Sequence, residues 1–216
     1  MRRHLWAATV AASLLYAFPA EAQQAGVIVG VDASTITGQV YANPDAGGVF
    51  GGFVQYSLTD NFYFEPEIFF SMEGGYCSNY LPPTLTFTGL YYKSTASLRL
   101  NYVSLPLLLR LRTFKSSLLH HGFDFFAGPE LGFLATTISR FTWYPPTGAQ
   151  TFTDKSTDGF RRFGLGVEIG GGPNVELAST TVGIELKYSL GLTSAFKAAD
   201  HDWFNSVWSI MAHVDI

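Results

Sequence analysis

The segment FYFEPEIFFSME (Phe62–Glu73) alternates between two kinds of side chain along its whole length. Every second residue from Phe62 to Met72 is apolar, whereas the glutamates occupy the other phase. Because successive side chains of a strand point to opposite faces, this alternation predicts a strand with one apolar face and one charged face. Such a strand is typical of a β-barrel that has lipid outside and polar groups inside.

The same two-phase pattern recurs between turn-like segments along most of the chain. It predicts eight strands, at residues 26–38, 47–58, 62–74, 98–113, 122–138, 159–176, 181–194 and 205–216. Short connections such as Thr59-Asp60-Asn61 alternate with longer ones such as residues 75–97 and 139–158. Short turns at one end and long loops at the other are the outer-membrane pattern. We therefore predict an all-β, eight-stranded antiparallel up-and-down transmembrane β-barrel, with both chain ends on the periplasmic side.

Small and charged residues distinguish a membrane barrel from a soluble one. In the seventh predicted strand, apolar residues from Val182 to Leu192 alternate with glycine, serine, Glu185 and Lys187. A soluble, lipocalin-like barrel would place the apolar phase inside and a polar surface outside. The second phase is too poor in lysine and too rich in glycine for such a surface. It suits the narrow interior of an eight-stranded barrel, so the apolar faces are expected to contact lipid.

Prolines complicate the assignment of inward and outward faces. Pro66, Pro106, Pro129 and Pro173 fall within predicted strands, where each removes a backbone donor. We expect β-bulges near them, and a bulge reverses the facing of the residues beyond it. The facing near these four prolines therefore stays open.

The N-terminal segment is typical of a secretory signal. Arg2 and Arg3 precede an apolar run, and Ala20-Glu21-Ala22 matches a cleavage site. We predict a cleaved signal peptide at residues 1–22 and a barrel domain at residues 23–216. The alternative is an N-terminal membrane anchor, but the apolar run is shorter than the roughly 20 residues that a spanning helix needs.

Composition limits the compartment and the partners. The formal net charge is −4 and no basic run is present, which argues against binding of nucleic acid. Cys77 is the only cysteine, so it is a free thiol or an intermolecular partner. We expect the outer membrane of a Gram-negative bacterium, where the partners are lipid, the insertion machinery and an extracellular or periplasmic protein.

Four sequence motifs, at residues 64–68, 101–110, 127–134 and 186–192, resemble in this order those of the PorT-like outer-membrane β-barrel proteins of Bacteroidetes-type bacteria. NYVSLPLLLR (residues 101–110) is similar to the fourth strand of that family and AGPELGFL (residues 127–134) to the next strand. FEPEI (residues 64–68) and LKYSLGL (residues 186–192) match as well. The resemblance implies an eight-stranded outer-membrane barrel, mostly without an assigned activity. One member of that family assists the export of secreted proteases.

The inward phase carries many ionisable residues. Burying ionised groups is costly unless they are paired, so we predict a mutually paired network that plugs the barrel. The alternative is a narrow polar path whose charges set ion preference. The predicted network comprises Glu65, Glu67, Arg110, Arg112, Glu130, Arg162, Glu168, Glu185 and Lys187, and the same phase also holds Glu73 and Asp124.

No catalytic or metal-binding signature emerges. Ser209, His213 and Asp215 share a phase, but His213 and Ser209 are separated by about 13 Å of strand, which is too far for a nucleophile and its base. His201 between Asp200 and Asp202 lacks a third ligand at standard spacing. We therefore predict no enzyme activity and no cofactor.

Aromatic residues concentrate in the predicted long loops. They are typical of the girdle at a membrane interface. They could alternatively form a binding surface, with Trp143, Tyr144 and Trp203 as anchors. We predict a non-enzymatic outer-membrane barrel with a structural, adhesive or secretion-accessory role. A small pore for ions or solutes is the main alternative, and a lipid-modifying enzyme is the third.

Overall fold

The computed structural model describes residues 24–37, 43–78, 94–113, 121–145, 147–177, 180–197 and 204–215. These residues form nine strands. In chain order the strands are β1 (Gln24–Thr37), β2 (Asn43–Ser57), β3 (Phe62–Ser78), β4 (Ser94–Thr113), β5 (His121–Trp143), β6 (Gln150–Asp154), β7 (Phe163–Leu177), β8 (Thr180–Gly191) and β9 (Phe204–Asp215).

Eight of the strands close into one antiparallel ring. The order is β4-β3-β2-β1-β9-β8-β7-β5, and the pairing of β4 with β5 completes the circle. The predicted eight-stranded, all-β barrel is therefore confirmed. We call the end that carries residues 58–61 the turn end, and the opposite end the loop end.

One strand was not predicted. The segment 139–158 was expected to be a loop, but β5 continues to Trp143 and β6 folds back along it. β5 pairs with β7 only up to Phe133, and β6 takes the place of β7 beside the last residues of β5. β7 accordingly begins at Phe163 rather than at Gly159.

The two faces of the wall differ as the alternation predicts. In β3 the side chains of Glu65, Glu67 and Ser71 are buried inside, whereas Phe62 and Ile68 are exposed on the outer wall. The pattern holds around the ring, so the outer wall is a belt of exposed apolar side chains. The belt includes Val27, Val29, Val31, Phe50, Leu105, Leu107, Leu109, Phe125, Leu131, Leu165, Ile169, Ile184, Leu186, Trp208 and Ile210.

The prolines do not introduce the expected bulges. The pairing of β3 with β4 keeps one register past Pro66 and Pro106, and the pairing of β5 with β7 does so past Pro129 and Pro173. A missing N–H removes a hydrogen bond from the ladder, but it inserts no extra residue, and the facing is therefore retained. The facing that the sequence left open at these four prolines is therefore that of uninterrupted strands.

The reversal occurs elsewhere, in the upper part of β5. The register between β4 and β5 shifts at Asn101/Tyr102, which leaves Ala135 as an extra residue. Leu134 is buried before the shift and Thr137 is buried after it, so the inward phase changes from even to odd numbers. A second irregularity separates Pro44 from Val49 in the pairing of β2 with β3.

Apolar side chains fill two parts of the interior. The larger cluster lies at the loop end and combines Leu98, Leu100 and Leu134 with Phe160 and Ala195 from the connecting segments. Phe160 and Phe196 also form an isolated β-bridge, and their rings lie 4.8 Å apart. The second cluster comprises Ile28, Val49, Phe53, Phe69 and Met211.

None of the described residues belongs to a helix with the length and apolar character required to cross a membrane.

Candidate functional site

Arg110 ties three other strands together across the turn-end half of the lumen. Its side chain is 2% exposed and extends inward from β4. Nη2 donates to Glu65 Oε1 at 2.6 Å and Nη1 donates to Asp124 Oδ2 at 3.0 Å. Nη1 also donates to Glu185 of β8. One guanidinium therefore holds carboxylates from β3, β5 and β8, and its plane stacks over the Phe126 ring at 4.8 Å.

Arg112 adds a second cation to the same layer. Its Nε and Nη2 donate to the two oxygens of Asp124, each at 3.0 Å, which is the bidentate geometry that suits a guanidinium and a carboxylate. The Tyr63 ring lies 5.2 Å from the Arg112 guanidinium carbon. We call Arg110, Arg112, Glu65, Asp124 and Glu185 the Arg110 cluster.

Lys187 is the buried cation nearer the middle of the barrel. Its Nζ lies 3.1 Å from Glu168 Oε1 and 3.9 Å from Glu67 Oε2. The same ammonium lies 3.9 Å from the centroid of the Phe69 ring. Two carboxylates from β3 and β7 therefore share a single lysine from β8.

The carboxylates closer to the loop end have neutral partners instead. Glu73 accepts hydrogen bonds from Ser71 Oγ at 2.7 Å and from Asn205 Nδ2 at 2.9 Å. Glu130 accepts one from Ser189 Oγ at 2.6 Å. Neither forms an ion pair with a cation of the described residues.

Asp32 was not identified from the sequence. It is 4% exposed, and neither carboxylate oxygen has a hydrogen-bond partner among the described residues, although Ser209 lies beside it. Its signal was weak because the inward phase of β1 also contains Ile28 and Ile36, which hides the alternation. Gln55, whose Nε2 donates to Glu65, was also missed.

Arg162 does not belong to the interior network. Its side chain is exposed, and it precedes the first residue of β7. The predicted strand started four residues too early, because the pairing of β7 with β5 ends at Phe163 and Phe133, just before the bulge of β5 at Ala135. Arg162 contributes its carbonyl oxygen, which accepts a hydrogen bond from the amide of Leu134.

The predicted aromatic anchors lie at the tip of the β5–β6 hairpin, as far as the structure describes them. Trp143 is the half-buried last residue of β5, and Tyr144 follows it with 44% of its surface exposed. Trp203 lies outside the described residues. Every residue of β6 is exposed, and Phe152 is 63% exposed. Cys77 is a half-buried free thiol near the end of β3.

One interior group has the atoms of a metal site. Ligand atoms of Asp124, Glu185 and His213 lie within 4.8 Å of one another, and all three side chains are buried. Arg110 already binds both carboxylates, so a metal ion would have to approach a guanidinium closely. This arrangement fits an ion-pair cluster in which His213 Nδ1 lies 3.1 Å from Glu185.

The set considered for nucleophilic catalysis is not assembled. His213 contacts Glu185 and the edge of the Phe53 ring. Among the described residues no hydrogen bond joins His213 to Ser209, and the oxygens of Asp215 have no partner. The three side chains share the inward face of β9 without forming a relay.

Comparisons with known proteins identify the fold family. The family described as outer membrane protein beta-barrel domain matches residues 12–197. No curated protein matches the chain. The chain is similar to the crystal structure of Neisserial surface protein A, with 8% identity, coverage of 88% of this chain and 96% of that chain, and a TM-score of 0.48.

Two further solved barrels are similar in the same way. Ail, the attachment invasion locus protein of Yersinia pestis, has 11% identity, covers 89% of this chain and 98% of its own, and gives a TM-score of 0.38. The N-terminal β-barrel domain of Pseudomonas aeruginosa OprF has 11% identity, coverage of 87% and 96%, and a TM-score of 0.31.

Proposed function

Because the chain belongs to the outer membrane protein beta-barrel domain family, we propose that this outer-membrane barrel is a non-enzymatic, non-conducting protein that acts through its loop end. The observation that carries this proposal is the Arg110 cluster, which crosses the lumen from four strands. Its role is to close the barrel and fix its shape, so that the loop end is held rigidly above the membrane.

The closed lumen supports the non-conducting part of the proposal. Arg110 alone bonds to carboxylates of β3, β5 and β8, so a permeating ion would have to separate these pairs. Separating one partner of a buried pair costs about 3–5 kcal/mol. Toward the loop end, Leu98, Leu100 and Phe160 fill another part of the interior with apolar side chains. Eight-stranded barrels are generally filled by side chains in this way.

The loop end carries the surface that we propose binds a partner. The pairing of β5 with β7 ends at Phe133, but β4, β5 and β6 stay paired beyond that point. They form a raised sheet on one side of the barrel. Its tip carries Trp143, Tyr144 and the fully exposed strand β6. Aromatic side chains are effective anchors in interfaces. An adhesive or secretion-accessory role with an extracellular or periplasmic protein as partner fits this surface, and Trp203 is proposed to contribute to it.

The orientation and the processing of the chain form part of the same proposal. The first residues of β1 and the last residues of β9 lie at the turn end of the barrel, which we place in the periplasm. Residues 1–22 are proposed to be the signal that directs export, and the insertion machinery then assembles residues 23–216. The order of the sequence motifs supports a PorT-like member of the family.

Conductance in planar lipid bilayers tests the closed lumen. The purified barrel is expected to show no stable unitary currents, and an Arg110→Ala variant that stays folded is expected to show rare, small openings. Stable currents from the unaltered protein would establish the pore instead.

A binding assay tests the loop end separately. Intact barrels are compared with a Trp143→Ala/Tyr144→Ala double variant for adhesion to host cells and for capture of proteins from the native membrane. The variant is expected to lose at least tenfold in binding, with heat-dependent gel mobility as the control for folding. Equal binding by both proteins contradicts the assignment of this surface.

A further inference from the structure

Two adjoining pockets occupy the loop-end half of the lumen beside the apolar cluster. The outer pocket encloses about 50 Å³ and the inner one about 10 Å³, which is room for a water-sized group such as an ammonium. Glu73, Glu130 and Ser189 line both of them, so the two pockets share a boundary. The outer pocket reaches the surface beside Arg161 and Phe163, which are both exposed. We call the two pockets together the acidic well.

Glycines form one wall of the acidic well and keep it open. Gly132, Gly164 and Gly166 line the outer pocket from β5 and β7. A Cβ atom on Gly166 would lie 3.1 Å from Glu130 Oε2 and 3.1 Å from the carbonyl oxygen of Leu190. A larger side chain there would occupy the space above Glu130.

The well holds more negative than positive groups. Asp32, Glu73, Glu130 and Glu168 line it, and Lys187 is the buried cation among its described lining residues. Glu130 lies near enough to Asp32, Glu73 and Glu168 to interact with each of them electrostatically. Arg161 stands at the rim, where it is exposed and its Nε donates to the carbonyl of Phe196. The excess of carboxylates in a partly enclosed space favours a cation.

Asp32 provides an independent indication that a partner is missing. Its side chain is buried and lines the inner pocket, and neither oxygen has a well-formed hydrogen bond among the described residues, although Ser209 and Lys187 lie near enough to interact with it. A buried ionised group without a partner is costly, so a ligand that donates to Asp32 would be bound favourably.

We propose that the acidic well binds a small linear diamine, with one ammonium group at Glu73 and Glu130 and the other at Asp32. A hard divalent cation requires several oxygens that converge on one point. Among the described residues, the group whose ligand atoms approach so closely is Asp124, Glu185 and His213, outside the well. Ammonium groups instead donate separately to carboxylates spread along the well. The site is independent of the proposed role of the loop end, since a blind well can bind a ligand in a barrel that does not conduct.

Isothermal titration of the refolded barrel in detergent with 1,4-diaminobutane tests the site. The unaltered protein is expected to bind the diamine with 1:1 stoichiometry and not to bind 1,4-butanediol, which has the same length without charge. Asp32→Asn is nearly isosteric and removes only the unpartnered carboxylate, so it is expected to weaken binding at least tenfold. Asp60→Asn, which removes a charge from the exposed turn between β2 and β3, is the matched control and is expected to bind normally.

Three results would overturn the proposal. The first is no binding of diamine by the unaltered barrel, and the second is equal binding by the unaltered barrel and Asp32→Asn. The third is binding of Ca²⁺ that Asp32→Asn weakens and that excludes the diamine, which would assign the well to a metal ion. Gly166→Leu serves as a second variant: if it folds, its filled well is expected to exclude the diamine while every carboxylate is retained.

Discussion

Around Arg110, each carboxylate of the cluster touches a cation, whereas among the described carboxylates of the acidic well only Glu168 forms an ion pair, with Lys187, and Glu73 and Glu130 accept hydrogen bonds from hydroxyls and an amide. Both regions lie inside the same narrow barrel and are built from inward-facing residues of neighbouring strands. The two regions differ in their number of cations. Two arginines of β4 pair with the carboxylates at the turn end, whereas Lys187 is the one buried cation shared by the described carboxylates nearer the loop end. Paired charge stabilises a closed wall, and unpaired charge leaves a site for a ligand.

The difference between the two regions predicts that two charge-removing substitutions change the free energy of unfolding in opposite directions. Removal of a cation from the Arg110 cluster should destabilise the barrel, because several buried carboxylates lose their partner at once. Removal of a carboxylate from the acidic well should not, because the remaining groups repel one another less.

The largest effect is expected for Arg110→Ala. It leaves Glu65 and Glu185 buried without their cation, and it removes one of the two partners of Asp124. We expect a loss of about 3–5 kcal/mol in the free energy of unfolding, the usual cost of breaking a buried pair. Urea titration of the barrel in lipid vesicles, followed by tryptophan fluorescence, measures it.

A conservative variant separates charge from geometry in the same cluster. Arg110→Lys keeps the charge but cannot donate to three carboxylates in a planar arrangement, so it should recover only part of the loss. If Arg110→Ala unfolds at the same urea concentration as the unaltered protein, the cluster does not hold the wall together, and the contrast between the two regions fails.

A smaller effect of opposite sign is expected for Asp32→Asn. The substitution keeps the shape of the side chain and removes a buried charge whose desolvation outweighs its interactions with Ser209 and Lys187. We expect a gain of about 1 kcal/mol, the lower end of the cost of an unsatisfied buried polar group. The same urea titration applies, without added diamine. A loss of stability as large as that of Arg110→Ala would mean that Asp32 has a structural partner.

Most strands of the barrel were predictable from the sequence, but the contrast between the Arg110 cluster and the acidic well was predictable only in part. Alternation in β3 and β8 predicted the inward position of Glu65, Glu67, Glu185 and Lys187, because strand side chains follow a strict period of two. The pairing of those charges was not predictable, since it depends on the stagger of strands that are far apart in the chain. No local signal marked Ala135 as the bulged residue, although the bulge decides which residues of upper β5 face inward.

Arg162 shows where such reasoning fails. The residue fits the inward phase of a strand that continues upstream, but the pairing of β7 with β5 ends at Phe163 and Phe133, and β7 starts one residue later. Asp32 shows the opposite failure, because mixed apolar residues on both faces of β1 concealed an interior carboxylate. The first error arises from tertiary pairing, which overrides a local pattern, and the second from the mixed composition of the inward face of β1.

The smallest effect is expected for Arg99→Ala, outside the lumen. Arg99 Nη2 lies 3.2 Å from Asp45 Oδ2, a geometry comparable to that of Arg110 with Asp124, but the two side chains are 41% and 28% exposed. Water and salt screen such a pair, so its loss should cost about 0.2–1 kcal/mol and the difference should shrink in high salt. Urea titrations at low and high salt measure both quantities. A cost equal to that of Arg110→Ala would show that distance rather than burial sets the strength of these pairs, and the distinction between the lumen and the outer wall would then lose its physical basis.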